Sequence, residues 1–137
     1  MTRTFNTLKV GEKDCIKKII TSDVVNAFAD VSEDRNPVHV DDDFAKTTPF
    51  GGRIAHGMLS AGLISAVLGT KIPGQGSIYM SQTMRFKKPV YLNETVTVWA
   101  EVKEKIEEKK RVIMNTWVEN DKGDVVLDGE AMLLFNC

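Results

Sequence analysis

The stretch HGMLSAGLISAVLGT, residues 56–70, decides the fold of this chain of 137 residues. It carries no formal charge after His56, and its apolar residues fall on every side of a helix. That pattern is typical of a helix that is buried all round. Gly62 would weaken an exposed helix by about 1 kcal/mol, so tight packing against neighbouring backbone explains it better. The stretch predicts a central helix enclosed by the rest of the domain.

Downstream of this helix, the hydrophobic pattern changes from helical to alternating. Alternation over 4 to 8 residues is the signature of a half-buried strand, and Gly-containing turns separate such strands in hairpins. The turn at 121–124 fits the second part of that rule. Charge-rich residues 101–111 predict an exposed hairpin. The predicted strands are residues 77–86, 95–102, 111–118 and 125–135.

Upstream, residues 13–20 mix charge with β-branched side chains and weakly predict an opening strand. Val24, Phe28 and Val31 then follow helical spacing, so a helix is expected that Thr21 or Ser22 caps. It should end near residues 32–33, ahead of Pro37. The pattern as a whole predicts an α+β domain, an antiparallel sheet of about five strands wrapped around one long hydrophobic helix.

Composition limits the classes of protein to consider. A length of 137 residues suits one domain, 1–137, and 42% hydrophobic with 27% charged residues is the balance of a globular protein. The net charge of −1 gives no sign of a nucleic-acid or membrane partner, and no segment approaches a membrane span. With two cysteines, no CxxC and no apolar run behind the N-terminus, we expect a cytoplasmic protein without a structural zinc site.

The segment 34–39, DRNPVH, places a carboxylate and an imidazole five residues apart. Pro37 lacks an amide proton and drives Asn36 towards extended geometry, so the segment cannot be helical throughout. Asp34 and His39 are therefore expected on a bent loop, where they suit general acid-base chemistry, with Asn36 in support. Taken singly, Asp34 is more simply a turn residue and His39 a structural hydrogen-bonding residue.

The start of the predicted helix adds a third candidate group. The amide of Gly57 would be free to stabilise negative charge that develops on an oxygen. His56 is expected to cap the helix or to orient the preceding loop. Ser65 lies on the same helix face as Gly57 but roughly 12 Å away, too far to share one oxygen. It is either a partner of the Asp34/His39 loop or a small core residue.

Two further groups are candidates for substrate binding. Residues 40–54 should form a loop with one short turn that Asp41 caps; a loop of this length is uncommon unless it lines a site, so Phe44 and Phe50 are candidate lining residues. A basic cluster could meet phosphates as point charges, although a solvated strand end is the simpler interpretation. Its members are Arg85, Lys87 and Lys88. Met58, Met80 and Met84 are predicted to be core.

These residues resemble the MaoC-like family, and closely its (R)-specific enoyl-CoA hydratases. The resemblance runs from about Val10 to Leu134 and rests on motifs in a shared order. They are SEDRNPVH at 32–39, TTPF at 47–50, IAHGML at 54–59, GSIY at 76–79 and FKKPV at 86–90.

The resemblance implies a hot-dog fold, in which a curved antiparallel sheet wraps a long central helix, and a homodimer with active sites at its interface. It implies reversible syn addition of water to a trans-2-enoyl-CoA, giving an (R)-3-hydroxyacyl-CoA without a metal or redox cofactor. Asp34 and His39 match the catalytic pair, Gly57 the oxyanion amide and Ser65 a serine that supports the site. A dehydratase of acyl-carrier-protein thioesters and a non-catalytic acyl-CoA-binding module are the alternatives.

Overall fold

The protein is an antiparallel sheet wrapped around one face of a helix, in a computed structural model that describes residues 2–137. The helices are α1 (Ser22–Ser32), α2 (Pro37–Val40), α3 (Asp42–Lys46) and α4 (Gly57–Thr70). The strands are β1 (Lys13–Ile19), β2 (Ser77–Gln82), β3 (Arg85–Phe86), β4 (Thr95–Ile106), β5 (Arg111–Glu119) and β6 (Val125–Phe135). This is the hot-dog arrangement that the resemblance implied.

The sheet runs in the order β1-β4-β5-β6-β2, with β3 paired to β6. Strict alternation places every second residue of β4 and β5 on the concave face, where it is buried against α4. Val98, Met114 and Leu133 are among the side chains that form this core together with Ile64 of the helix. The predicted hairpin between β4 and β5 is present as a short 3-10 turn, Glu107–Lys109.

The sheet has six strands rather than about five, because the predicted strand 77–86 is divided. Strand β3 continues along the same edge of β6 and in the same register as β2, after a break at residues 83–84 where the carbonyl group of Thr83 lies against Gly129. A Cβ at Gly129 would lie 1.8 Å from the carbonyl oxygen of Thr83, so only glycine permits this close approach. The division places Phe86 and the two lysines that follow it next to the N-terminus of α4.

Helix α4 is not buried all round, which corrects the prediction from its composition. Leu59, Ile64 and Leu68 face the core, but Met58, Gly62, Ser65 and Gly69 form an exposed face at helical spacing. Met58 is 55% exposed and Met80 45%, so two of the three methionines predicted as core are not. The apolar stretch is thus covered by its own chain on one side only.

None of the helices in residues 2–137 is both long enough and apolar enough to cross a membrane.

Candidate active site

Asp34 and His39 lie on a turn that α1 and α2 define between them. Helix α1 begins at its Thr21 cap and ends at Ser32, where Glu33 adopts a left-handed conformation with φ 64°. Asp34 follows, and its carboxylate accepts a hydrogen bond from the amide of Asn36 at 3.2 Å. Asp34 is therefore a turn residue, as its sequence position suggested. Its carboxylate can still accept hydrogen bonds from other partners.

His39 lies in a helical turn, which corrects the expectation that it lies on a loop. Asn36 caps α2 by accepting from the amide of Val38 at 3.3 Å, and Pro37 occupies the first turn. Proline is favourable there because its fixed φ suits a helix start and its missing amide proton is not needed. Asp34 stays outside this turn. The predicted cap at Asp41 is confirmed, since its carboxylate accepts from the amide of Phe44.

The fold brings the carboxylate of Asp34 together with two imidazoles. One carboxylate oxygen and one ring nitrogen each of His39 and His56 lie within 4.8 Å of one another. The rings of His39 and His56 are stacked, with centroids 3.9 Å apart and planes inclined by 30°. An acid and a base therefore converge on one point, as the sequence predicted.

Carbonyl partners fix the tautomers of both histidines. Nδ1 of His39 lies 2.7 Å from the carbonyl oxygen of Ile54, and because that oxygen can only accept, Nδ1 carries the proton. In the neutral ring, Nε2 of His39 is then an unprotonated base. Nε2 of His56 donates in the same way to the carbonyl of Asp34 at 2.8 Å. Thus His56 orients the turn, and its side chain makes no capping hydrogen bond to α4.

His56 is buried, with 2% of its surface exposed, and its remaining ring nitrogen Nδ1 has no hydrogen-bond partner within residues 2–137. Burial away from water lowers the pKa of His56, and the neighbouring His39 lowers this pKa further, against the opposing effect of the Asp34 carbonyl. His56 is accordingly neutral at pH 7. A neutral ring is a suitable stacking partner for His39 when His39 takes up a proton.

Asp34, His39 and His56 are also the described residues that could hold a metal ion. The stacking of the two imidazoles argues against a shared ion. Stacked rings direct their in-plane lone pairs side by side rather than towards one point about 2.0–2.1 Å from both. The residues fit acid-base chemistry better than they fit metal coordination.

Gly57 is the first residue of α4, and its amide donates to no acceptor within residues 2–137. The first amides of a helix lack partners inside it and lie at the positive end of its dipole. The Cα of Gly57 also packs against Phe86, because a Cβ there would lie 2.6 Å from two ring carbons. The site therefore offers an unoccupied donor next to the acid-base pair.

A cavity of about 470 Å³ connects these groups, within the range of small-molecule sites. Of the predicted residues, it is lined by Asp34, His39, His56, Gly57, Phe50, Lys87 and Lys88. Four other predicted residues do not line it, one of which is Asn36, the cap of α2. Phe44 is 44% exposed on α3, Arg85 lies just before the cavity wall, and Ser65 is on the exposed face of α4.

Lys87 and Lys88 are at the cavity but are not free cations. Lys87 pairs with Asp128 at 2.9 Å, and Lys88 lies 3.4 Å from Asp124. Both pairs are about half exposed, so each is worth at most about 1 kcal/mol and opens readily to a more highly charged partner. These two ion pairs fit the simpler interpretation of a solvated strand end. Phosphate binding by Lys87 and Lys88 stays a prediction.

Sequence reasoning missed two residues of this region. Phe86, which covers Gly57, follows the break between β2 and β3 at Gly129, and nothing in the linear sequence indicates that break. Arg53 is 8% exposed and donates to the carbonyl of His39. A signal for Arg53 did exist, because it is the only formally charged residue between Lys46 and Lys71.

The fold and the site together define the class of this protein. The model of the MaoC like domain matches residues 9–123, and the chain belongs to that family. It is 49% identical over 130 residues, covering 94% of this chain and 82% of the relative, to the 3-hydroxybutyryl-CoA dehydratase of Methylorubrum extorquens.

Two further comparisons agree. The (R)-specific enoyl-CoA hydratase of Rhodospirillum rubrum is 46% identical over 130 residues, which cover 95% of this chain and 90% of the relative. The solved structure of R-hydratase PhaJ1 from Pseudomonas aeruginosa, in its unliganded form, superposes with a TM-score of 0.95 at 47% identity. That superposition covers 98% of this chain and 86% of the other, and it confirms the hot-dog fold.

Proposed function

We propose that this chain is an (R)-specific enoyl-CoA hydratase, a hydro-lyase that adds water reversibly to trans-2-enoyl-CoA to give (R)-3-hydroxyacyl-CoA. The observation that carries the proposal is the convergence of Asp34 and His39 beside the free amide of Gly57, all on one cavity. Relatives at 49% and 46% identity that are named for this chemistry support it. The lining around these groups is largely apolar, which suits an acyl chain.

Hydration requires a base for water and a proton for the α-carbon. The carboxylate of Asp34 and Nε2 of His39 can both accept hydrogen bonds from one water molecule in the cavity. As the water oxygen bonds to the β-carbon, one of its protons passes to the pair. The α-carbon then takes a proton from the pair, so that H and OH have been added and the side chains return to their starting state. Such groups contribute typically about 10²- to 10⁴-fold each.

The thioester oxygen gains negative charge while the α-carbon awaits its proton. The amide of Gly57 can donate to that oxygen, and the dipole of the fourteen-residue helix α4 favours negative charge at the same point. A donor that is already oriented and unpaired needs no reorganisation as the charge develops. These features support an oxyanion role for Gly57, which remains a prediction.

Syn addition follows from the position of the pair. Asp34 and His39 lie within 4.8 Å of each other on one side of the cavity, so the hydroxyl group and the proton would reach the same face of the double bond. An anti addition would need a proton donor other than this pair. Phe86, Val90 and Leu127 of the lining carry no transferable proton, whereas Ser60, Lys87 and Lys88 do, so the proposal assigns the α-proton to the pair and not to these three.

We expect the thioester carrier to be coenzyme A rather than an acyl-carrier protein. The two relatives named above carry CoA in their names, and Lys87 and Lys88 lie at the cavity, where they could exchange their carboxylate partners for phosphates. Neutralising Lys87 and Lys88 together should raise the KM for CoA thioesters and leave the KM for short pantetheine thioesters, which lack the nucleotide phosphates, unchanged.

We further propose that the active form is a homodimer. The exposed face of α4 lies beside β2, the free edge strand of the sheet, and Ile78, Tyr79 and Met80 of that strand are also exposed. An unpaired strand edge next to an apolar helix face suits a second copy related by two-fold symmetry. Met58 lines both the site cavity and the groove on this face, so a second copy would help to enclose the acyl chain. Ser65 would then lie at the interface.

We expect no metal or redox cofactor, because the side chains and amide described above supply a base, an acid and an oxyanion donor. We also expect a cytoplasmic location. Both cysteines are unpaired, Cys137 being exposed, which fits a reducing compartment.

The test is hydration of a series of trans-2-enoyl-CoA substrates with chiral separation of the products. The proposal predicts (R)-3-hydroxyacyl-CoA and higher kcat/KM for CoA than for carrier-protein thioesters of the same acyl chain. Release of free thiol would indicate a thioesterase, and binding of enoyl-CoA without turnover would indicate a binding module; either result would refute the proposal. Faster turnover of the carrier-protein substrate would identify the alternative dehydratase.

A further inference from the structure

Arg53 is the only residue with a permanent formal charge that is buried within residues 2–137. Its side chain is 8% exposed, and burial of a guanidinium group is costly unless its donors are paired. All three acceptors that it finds are uncharged. A charge retained in such surroundings needs an explanation other than ion pairing.

The guanidinium fork of Arg53, formed by its Nε, Nη1 and Nη2 donors, joins helix α1 to helix α2. Nε donates to the carbonyl oxygen of His39 at 2.5 Å. Nη1 donates to the hydroxyl oxygen of Ser22 at 3.0 Å, and Nη2 donates to the amide oxygen of Asn26 at 2.8 Å. Ser22 and Asn26 are four residues apart on α1 and so lie on one face of that helix.

These contacts connect the catalytic turn, residues 34–40, to helix α1. The carbonyl of His39 is among the last of α2 and has no partner within that helix of four residues. Arg53 supplies the partner and fixes it to α1. The next residue, Ile54, accepts from Nδ1 of the same histidine and donates its amide to Val38 at 3.3 Å. Residues 53 and 54 thus hold both the backbone and the ring of His39.

We propose that Arg53 is a positioning residue for His39, and that it acts through the geometry of its fork rather than through its charge. This inference rests on the hydration chemistry proposed above. A planar guanidinium with donors in a fixed arrangement reaches three acceptors at once, whereas the single ammonium group of lysine cannot span them. Displacement of a reacting group by about 1 Å can cost on the order of 10²-fold in rate.

The test compares Arg53→Lys with Arg3→Lys. Arg3 pairs with Glu12 away from the cavity, so its replacement controls for the chemical change itself. For Arg53→Lys, kcat on crotonyl-CoA should fall roughly 10- to 100-fold while KM changes less than about threefold, because the cavity lining is intact. Arg3→Lys should keep wild-type kcat. Wild-type kcat in a folded Arg53→Lys enzyme would overturn the proposal.

We expect the variant Asn26→Ala to keep the fold, because residue 26 is exposed and alanine favours a helix. It removes one anchor of the fork and should lower kcat in the same direction by a smaller factor. Unchanged kcat in both Asn26→Ala and Arg53→Lys would contradict the inference. Should Arg53→Lys fail to fold, kcat of Asn26→Ala decides alone, a decrease supporting the inference and no change overturning it.

Nitrogen NMR of the imidazoles separates positioning from general stability, because the chain holds only two histidines. In the wild type, His39 should show the tautomer with the proton on Nδ1. The folded Arg53→Lys variant should show exchange of this ring between tautomers, with His56 unchanged. Signals of His39 identical to those of the wild type would refute the positioning role.

His39→Ala in the same assay distinguishes the two proposals. If His39→Ala keeps its activity, the catalytic role of His39 is wrong and the inference on Arg53 falls with it. If His39→Ala is inactive while Arg53→Lys is fully active, the proposed function stands and only the positioning role is wrong.

Discussion

The N-terminus of α4 and its exposed face differ in how far a single chain supplies their contacts. At its N-terminus, polar groups of the catalytic turn find partners within the same chain, through His56, Ile54 and Arg53. Along its exposed face, Met58 and Gly62 remain open to solvent beside an unpaired strand edge. The comparison indicates that the geometry of Asp34 and His39 is set within one chain, and we propose that enclosure of the acyl chain needs a second.

The largest expected effect comes from the catalytic turn. Asp34→Asn and His39→Ala should each lower kcat for crotonyl-CoA hydration by about 10²- to 10⁴-fold, because each removes a proton-transfer group. Steady-state hydration assays and urea unfolding measure activity and stability separately.

Asp43→Asn is the matched control for Asp34→Asn, since Asp43 is an exposed carboxylate on α3. It should leave kcat unchanged. Near wild-type turnover of Asp34→Asn would show that Asp34 is not catalytic, and the same result for His39→Ala would show that His39 is not catalytic.

A charge introduced on the exposed face beside α4 should prevent dimerisation. Met80→Glu places a charge on an apolar side chain that is 45% exposed in one chain. Because burial of an unpaired charge is costly, the variant should have the mass of one chain rather than two by light scattering, and turnover should fall about tenfold as the acyl cavity opens. Val10→Glu, at an apolar residue 64% exposed elsewhere on the surface, should remain a dimer. A wild type that is itself a monomer, or a fully active monomeric variant, would refute the division between the two regions.

Gly57→Ala tests the close approach at the helix start. The added Cβ would lie 2.6 Å from the ring of Phe86, so the ring must move into the cavity and obstruct the thioester. We expect kcat/KM to fall about tenfold, from displacement of the reacting groups. Gly69→Ala is the control in the same helix, because its Cβ would meet nothing within 4 Å. Equal activity of Gly57→Ala and the wild type would show that the close approach of Phe86 to residue 57 is not limiting.

The smallest effect concerns pH and stability. The pKa of His56 is lowered in the folded state, so between that pKa and about 6.5 the unfolded chain binds more protons than the folded one. The contribution of neutral His56 is therefore fully present above pH 6.5, and the free energy of unfolding falls as the pH decreases below it. His56→Phe, which keeps an aromatic ring against His39, should show a weaker decrease in urea titrations from pH 7 to pH 5. An identical pH dependence in both proteins would contradict burial of a neutral His56.

Local signals predicted the elements well where a single segment determines its own structure. The hairpin-type turn at 121–124 predicted the last strand, 125–135, with its observed bounds, and the segment 34–39 predicted that the side chains of Asp34 and His39 lie close together. Local sequence patterns did not predict contacts between segments that are distant in the chain. The close approach of Thr83 to Gly129 divides a strand just ahead of Phe86, and no local pattern indicates such a contact. The apolar pattern of α4 predicted burial on every side because the sequence shows that a face is apolar but does not show what covers it.

The position of both proton-transfer groups on one side of the cavity is the central claim, and hydration of crotonyl-CoA in deuterium oxide tests it most directly. Proton NMR of the product gives the relative configuration of the deuterium at the α-carbon and the hydroxyl group at the β-carbon. Delivery of both by the pair Asp34 and His39 predicts syn addition together with an (R) centre at the β-carbon. A product of anti addition would require a donor on the opposite wall and would contradict the account.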